Sequence, residues 1–387
     1  MRTFTLTFFG SLFLVAAFNF GVDRAHRWHR FPNYFSRNWT DGEVWVSPAD
    51  FDEGEFRARH LRLIDPPELL ALGSSRVLLI DSRMFRPGIR FYNAGVSAAS
   101  VEDFIAFWQI LKERGHPPRR VIVFLDPWIF FSAYSPSKSL ATIRGYERFL
   151  RGRWEVAGAA AAWRDALRSR IALGTSEIGD LLSGEVTAAS WRALTAPAPD
   201  REPAETSGIV PAAERSTKSS AWRGDGSAVY PDAQVAPKTL AAISAVGEAY
   251  ASGSHWTIGA MASGEAVIPP ALEWLLADMA AAGTRVFLLV PPFQPTALRG
   301  LRERAATRLA LQRAQNVAAE LARRFRLPLC DRTDAAAICQ PREFMDGYHM
   351  LRPCAERIVR SCWQPDPEWR SLLAESPDLA GGGVSGR

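Results

Sequence analysis

Short apolar runs alternate with amphipathic stretches in two separated parts of the chain. Leu69-Leu70-Ala71-Leu72 reads as a buried strand that stops at Gly73, and Arg76 to Ile80 as the start of a helix after the turn. Arg90 to Gly95 reads as a second short strand. Ser100 suits the N-cap of a helix over 101–114, with apolar Phe104, Phe107, Ile110 and Leu111. Arg120 to Leu125 is a β-branched apolar run, the pattern of a strand buried on both faces, and stops at Asp126-Pro127. Far downstream, 271–282 reads as a helix and Thr284 to Val290 as another buried strand, stopped by Pro291-Pro292. Leu301 to Phe325 predicts one long amphipathic helix, and Leu327 to Cys330 a short last strand. This rhythm predicts an α/β fold in three layers, a mostly parallel sheet with helices on both faces. Its polar motifs all follow C-terminal strand ends, the edge where open α/β sheets bind ligands.

The rhythm is lost between Phe130 and Ile268. Residues 144–182 suggest a helix, with Trp154, Trp163 and Leu167 on apolar faces, and 240–251 suggest another. Residues 196–226 are rich in Pro, Ala, Ser, Glu and Gly and predict a flexible loop. The expected division is an anchor at 1–22, an ordered connector at 23–65 and an α/β domain at 66–130 and 269–365. An insertion fills 131–268, and a disordered tail 366–387. The insertion reads either as a lid or substrate platform, or as padding without a role.

The anchor is the uncharged, Phe- and Leu-rich segment from Thr3 to Val22. Its length is close to the ~20 residues that cross a bilayer as a helix. Bulky Phe18 and Phe20 after Val15-Ala16-Ala17 argue against a cleavage site. Arg24, Arg27 and Arg30 follow the span and, by the positive-inside rule, would hold the body in the cytoplasm. The cysteines point the other way. Cys330, Cys339, Cys354 and Cys362 lie together and are the full complement. An even cluster fits two disulfides in an oxidising compartment, the alternative being four free thiols. No Cys-x-x-Cys spacing is present, which argues against zinc, and no metal or cofactor is expected. The expected location is therefore the inner membrane, single-pass, with the body in the periplasm or outside the cell. The net charge is +5, but no basic stripe with interleaved aromatics suggests nucleic acid.

Two short motifs carry candidate chemistry. Gly73-Ser74-Ser75 offers a hydroxyl on a tight turn, and Asp346-Gly347-Tyr348-His349 an imidazole with a carboxylate three residues away. A serine nucleophile needs such a base, and the base needs an orienting acceptor. Each motif alone also reads blandly, the first as a strand-to-helix turn with an N-cap, the second as a surface pair. A nucleotide-binding fold is disfavoured, since no Gly-x-Gly-x-x-Gly follows the first strand.

The two motifs, in this order, resemble those of the SGNH/GDSL hydrolase superfamily, whose sheet is flavodoxin-like. Gly73-Ser74-Ser75 is similar to its Gly-Asp-Ser block, Asn93-Ala94-Gly95 to its second block, and Asp346 to His349 to its Asp-x-x-His block. The resemblance implies Ser75 as nucleophile, His349 as base and Asp346 as orienter. It also implies an oxyanion site from the Ser75 and Gly95 amides. Asn93, Asp126, Trp128 and Tyr348 beside these motifs are candidate substrate contacts, the alternatives being a turn cap for Asp126 and packing for Trp128 and Tyr348. The family's Gly-x-Asn-Asp block has no counterpart; the matching strand end reads Phe124-Leu125-Asp126-Pro127-Trp128. The anchor and the Gly-Ser-Ser form resemble the extracytoplasmic branch, which includes teichoic-acid D-alanyl-transfer and alginate O-acetylation proteins. That likeness implies an esterase or O-acyltransferase acting on an acylated cell-envelope polysaccharide, beside a membrane-bound O-acyltransferase. The rival expectation is a non-catalytic protein of the same fold that binds the polymer or assembles with that acyltransferase.

Overall fold

The computed structural model describes residues 10–19, 42–46, 52–131, 187, 191, 209–218, 220–236, 238–262 and 264–375. In chain order come β1 (Glu43–Val46), α1 (Glu53–Leu63), β2 (Leu69–Leu72), β3 (Phe91–Asn93), α2 (Val101–Glu113) and β4 (Arg120–Phe124). β5 (Ile209–Pro211), β6 (Ala221–Arg223), β7 (Ala228–Val229), α3 (Leu240–Ala249), α4 (Trp256–Ala262) and α5 (Pro270–Ala281) follow. The chain continues with β8 (Arg285–Val290), α6 (Pro295–Glu303), α7 (Ala305–Phe325), β9 (Leu329–Asp331) and α8 (Arg352–Trp363).

The main sheet has the order β3-β2-β4-β8-β9, and its four strand pairs are all parallel. The fold is thus α/β with a parallel five-stranded sheet and covering helices. The period of two along each strand divides the apolar side chains between two cores. Leu70, Leu72, Val121, Val123, Val286 and Leu288 join residues of α1, α2, α5 and α7 on one face. Leu69, Ala71, Ile122, Phe124, Phe287 and Leu289 meet Ile358, Val359 and Trp363 of α8 on the other. Each such side chain, fully buried, stabilises the fold by about 1.5–3 kcal/mol relative to exposure. α2 starts as its sequence suggests: the Asp103 carboxylate accepts the Ser100 N–H at 2.7 Å.

Several boundaries differ from the expectation. After Ser75 there is one short 3₁₀ turn, Ser75–Val77, not a helix to Ile80. The long helix over 301–325 is two, α6 and α7, separated at Arg304. The connector supplies β1 and α1. Residues 209–226 are not a loose loop. β5 and β6 flank β1 in a second, antiparallel sheet of order β5-β1-β6-β7. Trp45 and Trp222 of that sheet pack with Phe56 of α1, which gives this polar, Gly-rich stretch an apolar anchor. Residues 366–375 of the expected tail also fold, because Trp369, Leu372 and Leu373 are buried in the second core.

Among the described residues no helix is long and apolar enough to cross a membrane. Residues 10–19 of the expected anchor are helical. The rest of that span, the expected helix over 144–182, residues 196–208 and residues 376–387 lie outside the described residues.

Candidate active site

β2, β3, β4 and β8 end at one edge of the sheet, and their C-terminal loops build the site. After β2 the chain turns at Gly73, where a Cβ would stand 2.5 Å from Val77 Cγ1 and 2.9 Å from Phe124 Cβ. Only glycine fits this close approach. Ser74 caps the next turn, its hydroxyl accepting the Arg76 N–H at 3.3 Å. Ser75 is the first residue of that turn and is half-buried.

The other half comes from the loop between β9 and α8. A bridge between Phe344 and Met350, with Met345 N–H donating to His349 O at 2.9 Å, folds 344–350 back on itself. Asp346 Oδ1 accepts the N–H groups of Tyr348 and His349, each at 2.9 Å. Asp346 Oδ2 is then 2.6 Å from His349 Nδ1, and His349 Nε2 is 2.7 Å from Ser75 Oγ. Burial works to raise the Asp346 carboxyl, but the bond and charge of His349 and the two backbone N–H groups outweigh it and hold the acid below its ordinary range. An ionised Asp346 fixes the imidazole with Nδ1–H toward itself and leaves Nε2 to accept from the serine. Hydroxyl, imidazole and carboxylate stand in the line that nucleophilic catalysis requires. The chain matches no family model, no curated protein and no solved structure at a significant level.

The remaining candidates take other roles. Gly95 lies against the nucleophile turn, where a Cβ would stand 2.4 Å from Val77 Cγ2. Its N–H, however, donates to Asn93 Oδ1 at 2.9 Å and is not turned toward a substrate. Among the described residues the Ser75 N–H makes no intramolecular bond and is the available backbone donor. Asn93 is fully buried; its amide donates to Val77 O at 2.7 Å and Ile80 O at 2.8 Å, so it braces the turn instead of meeting a substrate. Asp126 is buried beside Arg76, 3.1 Å from its Nη1. Burial pushes its carboxyl up, against the opposing pull of Arg76, the Ser74 hydroxyl and His349. Trp128 is buried too, edge-on to Tyr348 at 5.7 Å. Tyr348 is 8% exposed and lies 4.1 Å, ring to ring, from His349. The cysteines pair as Cys330–Cys362 and Cys339–Cys354. The inner pair brackets the segment that carries Asp346 and His349, and the outer pair encloses the inner.

Three contributors escaped the sequence reading. Arg76, next to Ser75, is wholly buried and reaches three other loops. A charged residue inside Gly-Ser-Ser-Arg-Val-Leu-Leu-Ile was a signal, since a buried guanidinium demands an acid, and Asp126 ends the neighbouring strand. His255, from the insertion, has Nε2 3.2 Å from the Tyr348 hydroxyl and Nδ1 2.8 Å from Thr257 Oγ1. Burial lowers its pKa first; nearby His349 adds to this, and Asp346 opposes it. Tyr250, also from the insertion, packs its ring on Gly347, where a Cβ would meet it at 2.5 Å. Neither insertion residue has a local pattern that announces this. Among the described residues no cluster of His, Cys, Asp and Glu is placed to hold a metal ion.

Proposed function

We propose that this chain is an SGNH-type serine esterase or O-acyltransferase, acting on acyl esters of a cell-envelope polysaccharide. The observation that carries the reading is the Ser75–His349–Asp346 line, with contacts of 2.7 and 2.6 Å. In the proposed reaction His349 Nε2 takes the Ser75 proton as the oxygen attacks the ester carbonyl. The Ser75 N–H receives the developing oxyanion. His349 then protonates the departing alcohol, leaving an acyl-serine. Water or a second hydroxyl, deprotonated by His349, releases the acyl group by the reverse sequence. Asp346 stays ionised throughout and steadies the imidazolium.

The strand order, which starts at β2 and runs outward to both sides, and the placement of the site at the C-terminal sheet edge support a flavodoxin-like, three-layer fold of the SGNH kind. The two disulfides support an oxidising compartment, and the uncharged segment 3–22 supports a membrane anchor. We therefore place the body outside the cytoplasm, at the inner membrane, where a membrane-bound O-acyltransferase would be its partner. The test is labelling of the soluble body by a fluorophosphonate, with ester turnover measured alongside. Labelling and turnover that both vanish in Ser75→Ala support the reading; labelling that persists in Ser75→Ala sinks it.

One observation favours a second reading. With the Gly95 N–H held by Asn93 and no side-chain amide in the third-block position, the Ser75 N–H alone remains of the oxyanion donors that the resemblance implies. A removed donor costs other serine enzymes roughly 10²–10³ in turnover. A non-catalytic protein that binds the polymer, or assembles with the acyltransferase, would tolerate that loss. Polymer binding by the wild type without labelling or turnover would select it.

A further inference from the structure

The Arg76 side chain joins four loops at the catalytic edge. Its own residue follows the nucleophile. Its Nε donates to Tyr348 O at 3.1 Å, the carbonyl of the residue before His349. Nη1 donates to Asp126 Oδ1 at 3.1 Å, after β4, and Nη2 to Pro292 O, after β8. The guanidinium lies 4.8 Å from the Phe293 ring centroid, 5.5 Å from that of Trp128 and 5.9 Å from that of Tyr348. No water reaches it: the side chain is 0% exposed and that of Asp126 is 1% exposed. In such surroundings a charge acts over several ångströms with little screening.

Among the described residues, Asp346 is bonded to the His349 Nδ1, Ser75 to its Nε2, and the Tyr348 ring lies tilted beside it at 4.1 Å, with Tyr250 packed on Tyr348. His255 and Asp126 lie within its electrostatic reach. Asp126 is the acid paired with Arg76, and the same guanidinium is bonded to Tyr348 O, beside His349, so this second acid stands one guanidinium away from the His349 backbone. Resting on the serine-enzyme reading, we propose that Arg76 is a positioning residue and that its pair with Asp126 balances the charge felt by His349. The fork sets the Ser75-to-His349 spacing by tying the nucleophile turn to the base loop. The carboxylate cancels a guanidinium that would otherwise oppose the imidazolium. Lysine cannot do the first task, because one ammonium on a flexible stem cannot hold three acceptors in a plane. Asparagine cannot do the second.

The two tasks separate in one experiment, the rate of Ser75 labelling by a fluorophosphonate against pH. Arg76→Lys keeps the charge and loses the fork, so labelling slows about 10- to 100-fold with its acid limb unmoved. Asp126→Asn keeps the shape and loses the balance, so the acid limb moves to lower pH by about 0.5–1 unit. A wild-type rate in Arg76→Lys together with an unmoved limb in Asp126→Asn overturns the proposal. So does a slow Arg76→Lys whose limb moves while that of Asp126→Asn does not. If Arg76→Lys fails the thermal unfolding check, Asp126→Asn alone decides. The His349 imidazole is also titrated by NMR in Ser75→Ala, with and without Asp126→Asn. That shift needs no catalysis, so a protein that never labels loses the enzyme reading while the charge balance is still judged. Superimposable NMR titrations overturn it.

Discussion

Ser75 Oγ and His349 Nε2 stand 2.7 Å apart although 274 residues separate them in the chain. Nothing local brings them together; the parallel sheet does, by ending β2, β4 and β8 at one edge, where their loops meet the loop that carries His349. Ser75→Ala is expected to abolish fluorophosphonate labelling, and Ser74→Ala to leave it measurable, since the Ser74 hydroxyl caps the turn and supports Asp126 while the bond to His349 Nε2 belongs to Ser75. Asp346→Asn is expected to lower turnover by about 10³- to 10⁴-fold with little change in Km, as loss of the orienting acid does in other triads. Comparable labelling in Ser75→Ala and wild type would remove the triad.

The insertion meets the loop that carries His349 at Tyr348, through His255 and Tyr250, and at Gly347, through the Tyr250 ring. A methyl at Gly347 would enter the Tyr250 ring at 2.5 Å. Gly347→Ala is expected to cost about 1–3 kcal/mol of stability by overpacking. It should also slow labelling about 10- to 100-fold by moving Asp346 and His349. Truncating the ring in a Gly347→Ala/Tyr250→Ala double variant should restore much of both. A double variant no better than the single one would mean that the ring is not what the methyl meets.

The Cys339–Cys354 bridge closes a loop with a sequence separation of 15, and Cys330–Cys362 one of 32. Loop-closure entropy assigns about 3 kcal/mol to the first and slightly more to the second. Cys339→Ser/Cys354→Ser should therefore lower unfolding stability by about 3 kcal/mol and slow Ser75 labelling, because the lost link brackets the base. Urea unfolding and labelling on the same sample measure both. Intact stability in the double serine variant would count against the pairing.

His60 gives a pH dependence remote from the site. Burial, with the nearby Arg57 charge, lowers its pKa to about 3, while its Nδ1 lies 3.1 Å from the Tyr92 hydroxyl. Below its ordinary value of 6.5 the unfolded chain takes up a proton that the folded chain refuses until about pH 3. The unfolded state then binds more protons, so stability falls as pH drops through that window. The slope approaches about 1.4 kcal/mol per pH unit from this one group. Denaturant unfolding of wild type and His60→Gln between pH 7 and pH 5 checks it; the variant should show the flatter curve.

The parallel sheet was legible because its strands are buried on both faces and so appear as unbroken apolar runs, Arg120 to Phe124 above all. The Ser75–His349–Asp346 line could be anticipated because a hydroxyl on a glycine turn and a carboxylate three residues before an imidazole are visible as short motifs. Hydrogen-bond direction was not. Nothing in Asn93-Ala94-Gly95 says that the Asn93 side chain would turn back and take the Gly95 N–H. Nor does composition report pairing at a distance. β5 and β6 looked like loop because their apolar partners, Trp45 and Phe56, lie far upstream. Residues 366–375 looked like tail because Trp369 and Leu372 find their core only against Phe287 and Trp363.

The second sheet also has a consequence for the order of folding. β1 is made early, yet it is an interior strand whose two neighbours, β5 and β6, come from the insertion. Until residues 209–223 emerge, both edges of Glu43–Val46 stay open, and Trp45 has Phe56 of α1 but not Trp222 against it. Such long-range pairing is slow to close, and an open apolar strand invites intermolecular pairing while it waits. Pairing of β1 on both edges therefore has to wait until the insertion has been made.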